Sequence, residues 1–303
     1  MEHRRGLVRA RRFRLRDHSC HRRRTTSGNL ARLGGGVGLG RTAWSAPGGL
    51  RRWAPLMARC PRGFVTHSPI VTTWQAMAAM NNAEWCDVVC RSHGVATRFD
   101  AGAWTGGTRT PRYYPDAVTL VPDPSIPELL SRIDDSPGCS VKDSYSSLDL
   151  SGYGFQVLFD ARWIVRSAVR PSPAPVAGPR WEVVRDAESL AKWEAAWRGD
   201  DGPVGLFRPE VVEHPAVKVL AARSNDQVVA GAVINRSVSV VGISNLFAVE
   251  GVTSTTWSGC IGLVASLFPT SDIVGYESDA DITIAVPHGF EDVGPLRVWI
   301  RED

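Results

Sequence analysis

The 303-residue chain is long enough for one large or two ordinary domains, and 43% of its residues are hydrophobic, so it can bury a sizeable core. Its net charge of +4 joins two unlike segments: residues 1–79 hold sixteen arginines, no lysine and only Glu2 and Asp17 as acids, a net of +14, while residues 80–303 carry 19 basic and 29 acidic side chains, a net of −10. No apolar run reaches about 18 residues, which excludes a membrane-spanning helix, and six scattered cysteines fit a reducing, cytoplasmic compartment rather than a disulfide framework.

Residues 1–79 show arginine clusters at Arg11-Arg12, Arg22-Arg23-Arg24 and Arg51-Arg52, a glycine run at Gly34-Gly35-Gly36, and no sustained apolar period. Such a segment buries too little apolar surface to offset its ordering entropy and is expected to be disordered. Three readings are open: translation assigned too far upstream, with Met80 opening the protein; an organellar leader; or a basic arm gripping nucleic acid or an acidic membrane surface. The abrupt change in lysine and acid usage favours the first, and contact with nucleic acid is expected only through this segment. Gly35 to Thr42 reads G-G-V-G-L-G-R-T, one residue from the phosphate-loop pattern, but Arg41 stands for its lysine and no strand precedes it.

Residues 80–170 read as a small α/β lobe. A helix is expected from Ala83 to His93, with Asn82 as its cap. Cys86, Cys90 and His93 share one face of it, and buried thiols are a commoner use of such a stripe than an incomplete zinc site. Trp104 to Pro115 reads as irregular, with Trp104 and Tyr113-Tyr114-Pro115 as a packed turn or an aromatic wall for a ligand. Strands are expected at Ala117–Val121, Gly138–Ser144 and Phe155–Phe159 with Trp163–Val165, and a short helix at Ile126–Ile133 opened by Pro127. Lys142-Asp143-Ser144 and Asp149 read as a solvated strand end and loop, or as polar groups that orient a ligand.

The Pro-rich stretch 171–179 marks a linker. Beyond it, in 180–303, Trp181–Val184 is a strand, and Asp186 caps a helix with Leu190, Trp193 and Trp197 on one side. Val217–Ala222 and Val228–Ile234 flank an Asn225-Asp226 turn, and Val240–Ala248 completes a meander. A helix over Thr256–Leu267 ends before Pro269. The strand Ile273–Tyr276, a helix over Ala280–Ala285 and the strand Leu296–Ile300 follow. Asn235-Arg-Ser237 fits a glycosylation acceptor, incidental in a cytoplasmic hairpin. The whole predicts an α/β chain of the α+β kind: a mixed, mostly antiparallel sheet flanked by helices, behind a smaller lobe and a disordered basic N-terminus.

The order β-α-β-β-β-α-β-α-β over about 120 residues, with Asn245-Leu246-Phe247-Ala248-Val249 passing into a helix, then Ile273-Val274-Gly275-Tyr276-Glu277, His288-Gly289-Phe290 and Gly294-Pro295-Leu296, resembles the GCN5-related N-acetyltransferase (GNAT) superfamily. The resemblance implies an acetyl-CoA-dependent N-acetyltransferase acting on a small-molecule amine. It implies that the backbone of Phe247, Ala248 and Val249 borders the pantetheine arm, and that Ser258, Gly259 and Gly262 present amides to the pyrophosphate at a helix N-terminus. In the segment Trp257-Ser-Gly-Cys-Ile-Gly262 only Gly262 keeps the register of the family's Q/R-x-x-G-x-G/A turn; Trp257 stands for Gln/Arg and Cys260 for the first glycine. Helix-sheet packing is the competing use of Gly259 and Gly262.

For the base that deprotonates the amine, the resemblance points to Glu250 or Glu277, and Tyr276 would have to replace the family's tyrosine as proton donor to the thiolate. Each carboxylate has the ordinary alternative of a solvated strand end. No metal is expected. A non-catalytic relative that keeps the fold as a ligand-binding or structural module is the alternative that the altered pyrophosphate turn leaves open.

Overall fold

The computed structural model describes residues 73–302 except 175–176, 200–201, 250–252 and 279–280. The arginine-rich stretch 1–72, with the phosphate-loop-like Gly35–Thr42, lies outside the described residues, and so does Glu250.

The first helix, α1 (Trp74–Ser92), starts well before Ala83, because Thr73 caps it: its hydroxyl accepts from the Ala76 amide at 3.2 Å. Trp74–Met80 is rich in good helix formers, and charge usage alone hid that propensity. The expected boundary at residue 79 is thereby corrected. Ala78 and Ala79 are core residues, and Gln75 Nε2 donates to the main-chain oxygens of Ser144 and Pro295, each at 3.0 Å. Asn82 is no cap; it is buried inside α1.

Two short strands follow, β1 (Thr97–Phe99) and β2 (Ala103–Gly106), the second running into the segment Trp104–Pro115 that was expected to be irregular. Then follow β3 (Ala117–Thr119), α2 (Ile126–Leu130), β4 (Ser140–Asp143) and a single twelve-residue strand, β5 (Phe155–Arg166), where a broken strand was expected. Past the Pro-rich stretch come β6 (Arg180–Val184), α3 (Ala187–Arg198) and α4 (Glu210–Glu213); Asp186 caps α3 by accepting from the Ser189 amide at 2.8 Å. The meander is β7 (Val217–Ser224), β8 (Gln227–Arg236) and β9 (Val240–Ala248). Asn225 and Asp226 at its first turn have φ of 48° and 62°, as a two-residue hairpin needs. The chain ends with α5 (Thr253–Leu267), β10 (Asp272–Ser278), α6 (Ile282–Ala285) and β11 (Glu291–Arg301).

The eleven strands of the described residues belong to one sheet, in the order β1-β2-β3-β4-β11-β5-β10-β9-β8-β7-β6. Only β3/β4 and β9/β10 pair in parallel. The C-terminal strand β11 lies between β4 and β5, and β5 lies between β11 and β10, so the two sides of the Pro-rich stretch share one sheet rather than owning separate ones. Helices α1, α3 and α4 bury Trp85, Val89, Trp193 and Val211 with Phe207 and Phe247 on one face. Helix α5 buries Trp257, Cys260, Ile261 and Val264 on the other, against Ile234, Val241 and Ile273.

Candidate functional site

The sheet opens between β9 and β10. Parallel pairing of β9 with β10 runs through Val240↔Asp272, Val241↔Ile273 and Gly242↔Val274 and then stops. Beyond it β9 stays with β8 as far as Ala248↔Ala230, and β10 stays with β5 as far as Ser278↔Ala161. The strands therefore diverge as the arms of a fork. Its cause is local: Gly231 and Val233 of β8 face Phe247 and Ser244 of β9, so β9 spends an extra residue there, and Asn245 takes a φ of 54°. At the crotch, a Cβ on Gly275 would meet the Ile243 carbonyl at 3.2 Å. At the root, the Asn81 side chain lies directly on Gly242, tied by Nδ2 to Asn235 O at 3.1 Å and Ser237 Oγ at 2.7 Å.

Of the three β9 residues expected beside a pantetheine arm, Phe247 turns its side chain into the core against Trp193, ring centroids 5.3 Å apart. The Val249 amide donates to Val229 O at 2.8 Å, toward β8. Strand alternation then directs the N–H and C=O of Ala248 to the fork and those of Phe247 to β8. Ala248 alone of the three offers backbone groups to the opening.

The expected pyrophosphate turn lies in a different register. Helix α5 begins at Thr253, so the amides of Ser258, Gly259 and Gly262 are inside it, directed at carbonyls one turn back, and only its first-turn amides face outward along the axis. Gly259 serves packing: a Cβ there would overlap the Trp181 indole of β6. Gly262 has open space around it. Ser258 Oγ lies 3.4 Å from His288 Nδ1, a pairing that no spacing in the sequence announces.

Tyr276 and Glu277 are adjacent on β10 and project to opposite faces. Tyr276 joins the α1 face, edge-on to Trp163 at 5.6 Å. Glu277 faces the α5 side, where burial, and secondarily Asp281, pushes its carboxyl up to about 8. Burial and the Arg166 guanidinium lower His288 below the ordinary imidazole value.

Behind Tyr276 lies a polar cluster within the core. Lys142, Asp143 and Ser144 are buried, not the solvated strand end that polarity suggested. The Lys142 ammonium donates to Asn82 Oδ1 at 2.8 Å and sits 4.3 Å from the Tyr276 ring centroid. Asp143 turns to the opposite face and accepts from the amides of Tyr145 at 3.2 Å and Leu148 at 2.8 Å. Asp149, at the surface, accepts from Ser151. Cys86 and Cys90 are buried thiols, Cys86 pushed up to about 11 by burial, and His93 Nε2 lies 2.8 Å from Leu206 O. Asn235 is buried, its Nδ2 donating to Asn81 O at 2.8 Å, so it is no glycosylation site. Trp104 is buried with its Nε1 on Asp87 at 3.0 Å.

Two adjoining clefts of about 300 and 240 Å³ lie between α1, α4 and the β8–β9 connection, with Glu84, Asp87 and His214 in their walls. They stand at the other end of β9 from the fork. The fork, with strand edges released from pairing, is the better match to a linear ligand.

No protein-family model matches the sequence, and no curated protein matches it. Among solved structures, a GCN5-related N-acetyltransferase from Kribbella flavida superposes with a TM-score of 0.53 at 16% identity, over 75% of this chain and 96% of that one. A GNAT-family protein from Novosphingobium aromaticivorans gives 0.47 at 11% identity over 74% and 99% of the two chains, and a conserved protein of unknown function from Staphylococcus epidermidis gives 0.47 at 11% over 69% and 95%. At such identities the likeness is one of architecture. The described residues have the fold of the GCN5-related N-acetyltransferases, with the β9/β10 fork in its sheet.

Proposed function

We propose that this protein is an N-acyltransferase that moves an acetyl group from acetyl-CoA to a small-molecule amine in the cytoplasm, with the pantetheine arm in the β9/β10 fork. One observation carries the reading: β9 and β10 part at Gly242 and Val274, and the N-terminal end of α5 follows β9 within a few residues. Released strand edges suit the amides of a pantetheine arm, and the positive end of a helix suits its pyrophosphate. Ala248 is the β9 residue whose N–H and C=O would hold the arm, and the first turn of α5, Thr253–Thr256, replaces Ser258, Gly259 and Gly262 as the anion-facing segment. When bound, acetyl-CoA supplies an activated thioester carbonyl.

The chain must then take a proton from the amine. Glu277 is the described carboxylate of β10 next to the fork, and a carboxyl held up to about 8 has a proton affinity matched to that task near neutral pH. Tyr276, on the opposite face, has its ring beside the Lys142 ammonium, and its hydroxyl is the one we assign to returning a proton to the thiolate. A substrate threaded through the fork has one end on each face, which accommodates two such groups.

The test is calorimetric titration of the full-length protein with acetyl-CoA, beside Ala248→Pro, which removes the N–H directed to the fork and fixes φ at that residue. Binding by the parent that is lost in a variant with an unchanged melting temperature supports the reading. Absence of binding by well-folded parent protein overturns it and favours a non-catalytic module.

A further inference from the structure

The sheet reads the same outward from its centre, with β6 left over at one edge. At the centre β11 and β5 pair antiparallel. On the two sides β4 and β10 join them antiparallel, β3 and β9 join those in parallel, and β2 and β8, then β1 and β7, follow antiparallel. Along the chain each set runs as three strands, a helix (α2 or α5) and a fourth strand, and its fifth strand lies beside the fourth strand of the other set. Side chains keep the match: Ala117 and Val141 pack with Leu129 of α2, as Val241 and Ile273 pack with Ile261 of α5.

The match extends to the fork. Pairing of β3 with β4 stops after Ala117↔Val141 and Val118↔Lys142, as that of β9 with β10 stops after Val241↔Ile273 and Gly242↔Val274. Beyond that point the two differ. The Ser144 amide donates to Thr119 Oγ1 at 2.8 Å, and the Ser144 carbonyl accepts from Trp163 Nε1 at 2.8 Å and Gln75 Nε2 at 3.0 Å. Tyr145 Oη donates across the gap to Leu120 O at 3.2 Å, and Asp143 curls the chain after β4 into a turn by accepting from the Tyr145 and Leu148 amides. Among the described residues no side-chain hydrogen bond crosses the β9/β10 fork in this way. The helices differ in the same sense. Pro127 deletes an amide from the first turn of α2 and Glu128 adds a negative charge there, both unfavourable to an anion, whereas Thr253–Thr256 of α5 contains no acid.

Resting on the acyltransferase reading above, we infer that residues 97–166 and 217–301 are two copies of one module, each completed by the last strand of the other, and that the first copy's fork is sealed by its own side chains, so that the chain binds a single acyl-CoA thioester, in the β9/β10 fork. The first copy serves the second: its β5 flanks β10 and carries Trp163 against Tyr276.

Amide hydrogen exchange of the full-length protein, resolved by NMR, is measured with and without acetyl-CoA, beside the calorimetric stoichiometry. In the free protein the Ser144 amide should exchange about a hundredfold more slowly than that of Ala248, which is directed to the open fork. Thr119→Val keeps the shape of the side chain and removes the acceptor; it should speed exchange at Ser144 about tenfold and leave acetyl-CoA binding unchanged. Acetyl-CoA should protect Ala248 and leave Ser144 as it was, with one molecule bound per chain. Equal exchange at the two amides in the free protein, protection arising within 117–122 or 141–145, or two molecules bound per chain overturns the inference. Failure of acetyl-CoA to bind removes the acyltransferase reading; the rates in the free protein then decide by themselves whether one fork is sealed and the other open.

Discussion

The side chain of Asn81 rests on the bare backbone of Gly242, so closely that a Cβ there would overlap its amide. The contact clamps α1 to the last β9 residue that pairs with β10. Gly242→Ala must expel an amide that holds Asn235 and Ser237, and a loss of about 2–3 kcal/mol is expected from overpacking with lost buried hydrogen bonds. Urea denaturation measures it; a variant as stable as the parent would mean that Asn81 does not hold the root of the fork.

The two glycines of α5 are expected to respond with opposite signs. Gly259→Ala drives a methyl into the Trp181 indole and should cost about 1–3 kcal/mol. Gly262→Ala meets open space in a helix interior and should stabilise by about 0.5–1 kcal/mol. Thermal melts of the pair distinguish packing roles from any direct role in binding an anion.

Gln75 joins α1 to the turn after β4 and to the middle of β11 through the Ser144 and Pro295 carbonyls. Gln75→Ala should lower stability by about 1–2 kcal/mol. A chain begun at Met80 loses that tie together with the Thr73 cap and the buried Ala78 and Ala79, so it should melt well below the full-length protein in differential scanning calorimetry.

Glu277 gives a pH dependence with a definite sign. Its carboxyl is raised from 4.5 to about 8, so the native state holds a proton that the unfolded chain releases between those values. That contribution to stability is fully present below about pH 4.5 and is lost as pH rises toward 8. Glu277→Gln removes the ionisation, so its melting temperature should gain on the parent progressively from pH 5 to pH 8. If Glu277 is the base, the parent's kcat/KM rises through about pH 8 and the variant loses most of its rate. Parallel melting curves across that range would show that the carboxyl is not held protonated by the fold.

Much of the local architecture was legible because it has local causes. Asn225-Asp226 forces the first turn of the meander, Asp186 caps α3, and the apolar run Val240–Ala248 became β9 with the expected bounds. The passage from β9 to a helix was visible in the sequence, whereas the helix start at Thr253, set before Trp257, was not, and it puts the amides of Ser258, Gly259 and Gly262 inside α5. No periodicity in a small-residue stretch such as Thr-Ser-Thr-Thr marks where a helix begins.

What the sequence by itself determined is therefore the alternation of the meander strands, their first turn and the Asp186 cap of α3, since these depend on neighbours a few residues apart. Only the tertiary structure decided that β5 stands between β10 and β11, that Tyr276 and Glu277 look to opposite faces, and that Lys142 lies in the core beside Asn82. Strand partners and the company of a buried charge are chosen by contacts between residues far apart in the chain, and a hydrophobic pattern records which side of a strand is buried without recording what lies against it.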